Sequence, residues 1–165
     1  MIQDSGFKVR KSGFTLIEML IVVAVIGILA GTVLVSFGPV QRQARDARRL
    51  ADLKQAQNVL GLYYNKCGYY PGAAQAGQTC AAFAAAADWT AMSTALTGSA
   101  LGPTKIPNDP SGGKSYAYGV KADGSEYVLR ATLEDAGNPN FRDDGDGTIF
   151  SLDCEDANKQ YCIVY

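Results

Sequence analysis

The stretch Lys11-Ser12-Gly13-Phe14-Thr15-Leu16-Ile17-Glu18, continued by MLIVVAVIGILAGTVLV over residues 19–35, decides how this chain folds. From Phe14 to Val35 there are 22 positions and one charge, Glu18. As a helix rising 1.5 Å per residue, that run is about 33 Å long, enough to cross a bilayer core. Lys8, Arg10 and Lys11 precede it, and the next basic residue after it is Arg42. Cations on that side place the N-terminus in the cytoplasm and the remainder of the chain outside. A secretory signal has a shorter apolar run with a small-residue cleavage site behind it. Here the run is longer, holds a carboxylate near its start and passes into a polar helical pattern. It reads as a retained helix.

Outside that run, composition excludes more than it selects. The 165 residues carry a formal net charge of −1, so no global basic field draws nucleic acid. That length suits one domain with a helical extension. There is no histidine, which removes the commonest general base and metal ligand. No nucleophile motif and no Gly-rich phosphate loop occurs, so the chain is read as a non-enzyme. Cys67, Cys80, Cys154 and Cys162 include no C-x-x-C pair, which argues against zinc and thioredoxin-type chemistry. An even count beside a membrane-targeting segment points to disulfides in an oxidising compartment. The sequence-local pairing closes two short loops, but four cysteines allow three connectivities.

Glu18 is the informative residue of the apolar run. A carboxylate inside a membrane segment is costly and tends to have a partner. Its place near the start of the run also allows it to reach the cytoplasmic interface.

The string from Lys11 to Glu18 resembles the processing site of type IV pilins and secretion pseudopilins. In that family a membrane aspartyl peptidase cuts after the glycine and methylates the new N-terminal phenylalanine. The resemblance implies a cut between Gly13 and Phe14 and a leader over residues 1–13. It implies a hydrophobic transmembrane and filament-core helix over 14–39. A globular head, including the amphipathic half of the long helix, follows over 40–165. Glu18 becomes the family's signature glutamate.

The cut has a physical logic. It frees an α-amino group at Phe14, a positive partner for Glu18 of a neighbouring subunit. An unpaired buried charge is costly, so the correct axial register is favoured over wrong ones. It also removes Lys8, Arg10 and Lys11 and leaves a net charge of −3. Gly27 and Gly31 form G-x-x-x-G, which permits close helix approach, although membrane helices also tolerate glycine without that role. The family's helix-bending proline corresponds to Pro39, preceded by Gly38.

From Val40 to about Asn65 the pattern is amphipathic, with Leu50, Leu53, Ala56, Leu60 and Tyr63 on one stripe. Arg42, Arg45, Arg48 and Arg49, interleaved with Asp46 and Asp52, read as a solvated face with local ion pairs. Gly68, Pro71 and Gly72 end that helix. The segment from Tyr63 to Pro71 resembles the helix-to-loop junction of pilins related to the major pseudopilin of type II secretion. A variable loop over 72–87 and a short helix from about Asp88 to Leu101 follow, with Trp89, Met92 and Leu96 on one face. Strands are expected at Ser115–Val120, Glu126–Leu133, Thr148–Leu152 and Tyr161–Tyr165, with Asp123-Gly124 as a turn. The expected fold is α+β: a pilin-like lollipop with a long hydrophobic helix packed on a small antiparallel sheet.

Asn138, Asn140, Asp143, Asp144, Asp146 and Asp153 gather in one loop whose oxygens suit Ca2+, although the spacing misses the EF-hand pattern. In the resembling pseudopilins a loop in this part of the head binds calcium. The expected ligands are Asp143, Asp144, Asp146 and Asp153, and no cofactor is required.

The expected function is a structural subunit of a type IV pilus-like filament. Its implied partners are further copies of itself, other pilins, a prepilin peptidase, an inner-membrane assembly platform and the membrane, with no specific nucleic acid. Its expected place is the bacterial cytoplasmic membrane, single-pass with the N-terminus in the cytoplasm, and after assembly an extracellular or periplasmic filament. Two alternatives stand beside it: a pseudopilin of a type II secretion or DNA-uptake system, and a single-span anchored binding domain that never polymerises.

Overall fold

The computed structural model of the chain describes residues 13–35, 37–73, 80, 88–99 and 103–165, with side chains in the first helix as far as Gly31. The expected leader apart from Gly13, and the 72–87 loop beyond Ala73 apart from Cys80, lie outside the described residues. The chain divides into two compact units, Met1–Val40 and Gln41–Tyr165.

The first unit is dominated by α1, Leu16–Val35. Every side chain described on it, from Leu16 to Gly31, is exposed. Among the described residues, nothing lies within 4 Å of a Cβ added at Gly27 or Gly31. Among the described residues, no helix is long and apolar enough to cross a membrane. The apolar run of the sequence extends beyond the described side chains.

Helix α2 spans Phe37–Cys67. Pro39 falls in its first turn, where a missing N–H costs no intrahelical hydrogen bond. Leu53, Ala56, Leu60 and Tyr63, four of the five stripe residues, are buried. At the far end Gly68 takes the left-handed conformation (φ 81°) and donates its N–H to the Tyr64 carbonyl at 2.7 Å. That geometry explains why the chain stops winding at a glycine. Helix α3, Trp89–Gly98, is capped by Asp88, which accepts from the Ala91 N–H at 2.8 Å.

Strands β1 (Ala117–Val120), β2 (Tyr127–Thr132) and β5 (Gln160–Val164) form an antiparallel sheet in the order β1-β2-β5. Leu129 faces Tyr118 on one side and Ile163 on the other. The turn between β1 and β2 uses Gly124 at φ 71°, whose N–H reaches the Lys121 carbonyl at 2.8 Å. An added Cβ there would meet Ala73 at 2.6 Å, so packing as well as backbone requires glycine. Alternation sorts the sheet's faces. Tyr127, Leu129, Ala131 and Leu133 join α2 and α3 in the main core, while Val128 and Cys162 turn to the other face.

That other face is covered by a two-stranded ribbon, β3 (Thr148–Ile149) and β4 (Leu152–Asp153). The single strand expected over 148–152 is therefore a hairpin. Phe150 and Ser151 both adopt positive φ, 45° and 68°, and reverse the chain midway. Hairpin turns of that hand normally use Asn or Gly, so the sequence carries no turn signal here. The disulfides are Cys67–Cys80 and Cys154–Cys162, the sequence-local pairing.

Candidate functional site

Gly13, Phe14 and Thr15 precede α1 in non-helical backbone, and Phe14 is 79 % exposed. Both residues flanking the Gly13–Phe14 bond are exposed. Thr15 and Glu18 form a reciprocal cap. A Glu18 carboxylate oxygen accepts from the Thr15 N–H at 2.8 Å and from its hydroxyl at 2.9 Å. The Glu18 N–H donates to Thr15 Oγ1 at 3.3 Å. This is the capping-box arrangement, in which two orphan donors at a helix start satisfy one another. The intrachain partner of Glu18 is therefore Thr15. The T-x-x-E spacing was the available signal for it.

The head holds a second polar constellation, built on α2. Arg49 is fully buried. Its Nη1 donates to Asp46 at 2.6 Å and its Nε to Asp109 at 2.8 Å. Its Nη2 reaches Ser111 at 2.7 Å and Glu134 at 2.9 Å. Buried Asp46 also accepts the backbone N–H groups of Glu134 and Asp135, at 2.9–3.1 Å. Arg45 grips Glu134 with two bonds, at 2.7 and 2.5 Å.

These contacts tie α2 to the segment before β1 and the segment after β2. Hydrogen bonding from Arg45, reinforced by Arg49, holds the Glu134 carboxyl down at about 2. Burial alone would favour a neutral Arg49, but its hydrogen bonds to Asp109, Glu134 and Asp46 raise its pKa further. The expectation of a solvated arginine face is corrected here. The chain folds two loops over Arg45 and Arg49, a tertiary event that helix periodicity cannot show. Arg42 and Arg48 remain exposed.

The acidic loop regroups the expected ligands. Asn138 caps the 3-10 helix Pro139–Asp143, accepting from the Asn140 N–H at 3.1 Å, while Phe141 anchors that turn in the core. Carboxylate oxygens of Asp144, Asp146 and Asp156 lie within 4.8 Å of one another. Asp143 and Asp153 stand outside the group, and Asp156 enters it. Asp153 instead accepts from the Glu155 N–H at 3.1 Å and from Asn158 at 2.9 Å, which consumes it in a turn.

The Asp144 Oδ2 accepts the Cys162 N–H at 2.9 Å, and the Gly145 N–H returns a bond to the Cys162 carbonyl at 3.1 Å. The disulfide from Cys162 to Cys154 carries the chain toward Asp156. It brings together acids too far apart in sequence for spacing to reveal. Asp144 Oδ1 and Asp156 Oδ1 are buried without a hydrogen-bond partner among the described residues. Burial, then the charges of Asp156 and Asp146, pushes the Asp144 carboxyl up to about 6.

Comparison with known proteins meets this geometry at its N-terminal end. Residues 8–34 match the prokaryotic N-terminal methylation motif. Over 64 residues the chain is 33 % identical to the type II secretion system core protein G of Aeromonas hydrophila. The match covers 39 % of this chain and 45 % of that protein, so the chain spans under half the length of the curated relative it matches. No solved structure matches. In its N-terminal motif, in this relative and in its α+β fold the chain is similar to type IV pilins and pseudopilins.

Proposed function

We propose that this chain is the precursor of a structural subunit of a type IV pilus-like filament, held in the cytoplasmic membrane, cut between Gly13 and Phe14 and polymerised through α1. One observation carries the reading: apart from Glu18 in its first turn, the described residues of α1 carry no charge, and every side chain described on it is exposed. A helix apolar all round needs an apolar environment. In this reading, lipid before assembly and other copies afterwards fill that role. In this reading a prepilin peptidase and an inner-membrane platform act on the chain, and the chain itself catalyses nothing.

The Thr15–Glu18 cap adds a detail. Before assembly the Glu18 carboxylate is already hydrogen-bonded, which lowers the cost of holding it at the membrane edge. After the cut it can turn to the Phe14 amino group of a neighbouring copy.

A second reading, a pseudopilin of a type II secretion machine, is favoured by the name of the Aeromonas relative. Shearing native cells separates the two. Protein in the sheared extracellular fraction supports the pilus. Processed protein confined to the membrane fraction supports the pseudopilus. An unprocessed chain in both fractions favours an anchored domain that does not polymerise.

Calcium belongs to the proposal as a stabiliser of the head. The residues fit a hard cation: Asp144, Asp146 and Asp156 converge, and two of their buried oxygens have no hydrogen-bond partner among the described residues. Three carboxylates leave further positions to carbonyls and water. Excess Ca2+ over chelator is expected to raise the melting temperature, and Asp144→Asn to remove the rise. No shift on adding calcium would end this part of the proposal.

A further inference from the structure

In the sequence, the basic and acidic residues of α2 alternate and read as self-compensating. The fold separates them. Both acids of the helix, Asp46 and Asp52, are buried, Asp46 on Arg49 and Asp52 on the Tyr116 hydroxyl at 2.8 Å. What remains outside on the first turns of the head portion of α2 is basic. Arg42 is exposed and has no acidic partner among the described residues. The Arg48 side chain is 66 % exposed and only approaches Asp52, at 3.9 Å. The same head carries the opposite imbalance at its acidic loop. Asp143 and Glu155 are exposed, and neither has an ion-pair partner among the described residues. They adjoin Asp144 and Asp156 in sequence, and those two carboxylates converge with Asp146.

We infer that this basic edge of α2 is a docking surface for a second copy of the chain, seating Arg42 and Arg48 against the other copy's Asp143 and Glu155. The inference rests on the filament reading, which brings copies side by side. Charge complementarity selects the occupant. One copy offers exposed guanidinium groups and the next offers exposed carboxylates. Bidentate arginine–carboxylate pairing also fixes orientation as well as attraction. The two groups belong to different elements of the head, α2 and the loops around Asp143 and Glu155, so the contact is head-to-tail. Repeated contacts of that kind build an open helical array. A nucleic acid is disfavoured as occupant because the chain as a whole is slightly acidic.

The test uses the full chain in native membranes or filaments. Arg48→Lys keeps the positive charge and supplies an amine that a carbodiimide couples to a carboxylate in direct contact. Cells expressing light- and heavy-isotope copies distinguish links between chains from links within one. The expected product is a mixed light–heavy amide joining position 48 to Asp143 or Glu155, lost when coupling is done at about 1 M salt, where surface pairs are screened. In a second variant, Arg42→Glu with Arg48→Glu reduces recovered polymer at least tenfold, and adding Asp143→Arg with Glu155→Arg restores it. Polymer that forms normally in the first reversal pair, or position-48 links only to other proteins, overturns the inference while leaving the filament reading intact. Retention of the chain by anionic vesicles or DNA, abolished by the same reversal with polymer unaffected, overturns it as well. The filament reading itself fails on a different observation, a chain that is never cut at Phe14.

Discussion

Arg49 carries the most demanding environment in the head. It has no exposed surface and three acidic partners, Asp46, Asp109 and Glu134. Removing one member of a buried charge network leaves the others unpaired, at a cost of about 3–5 kcal/mol. Arg49→Ala is expected to destabilise the chain by that order in denaturant titration, and Arg49→Lys by less, because a lysine keeps the charge and loses the fork. A loss under about 1 kcal/mol in Arg49→Ala would remove the network from the account. The pH dependence follows from Glu134. Its carboxyl is held at about 2, below its ordinary value, so it contributes stability that is present above the ordinary carboxylate range. That contribution is lost as pH falls toward 2. Acid unfolding of Arg45→Gln should begin at a higher pH than in the unchanged chain.

At the scale of elements, the Cys154–Cys162 disulfide fixes the ribbon over the sheet and sets Cys162 against Asp144. Cys154→Ala with Cys162→Ala should cost about 2–5 kcal/mol and shift thermal melting downward. It should also abolish any calcium-dependent rise, because Asp156 is then no longer held near Asp144. Leu60→Ala, in the fully buried stripe of α2, should cost about 2–5 kcal/mol.

The elements differ in how legible they are. The α2 stripe, α3 with its Asp88 cap, and the β1–β2 turn at Gly124 follow local rules, and residue spacing alone carries them. The β3–β4 hairpin does not, because Phe150 and Ser151 reverse the chain without turn residues. The buried Arg49 network and the Asp144–Asp146–Asp156 group depend on segments distant in sequence. A single helix pattern or loop composition cannot display them. At the N-terminus the T-x-x-E spacing carries the Thr15–Glu18 cap.

At the scale of the molecule, one chain combines an apolar helix whose described side chains are exposed and a head with its own core. The head's acidic loop gives a further test of the whole. Burial and the neighbouring acids hold the Asp144 carboxyl up at about 6, so the folded head binds that proton more tightly than the unfolded chain does. Stability from this group is full below the ordinary carboxylate range and is lost as pH rises through about 6. In chelator, melting temperature should therefore fall between pH 5 and 7, and added Ca2+ should flatten that fall. A fall of equal size with and without Ca2+ would separate the loop from cation binding.

The central claim is that the chain is cut after Gly13 and enters a filament through α1. Mass spectrometry of the N-terminal peptide of the protein recovered from native cells tests it most directly. The account predicts a peptide beginning at Phe14 with a methylated α-amino group. A chain still beginning at or near Met1 in cells with an active prepilin peptidase would contradict it.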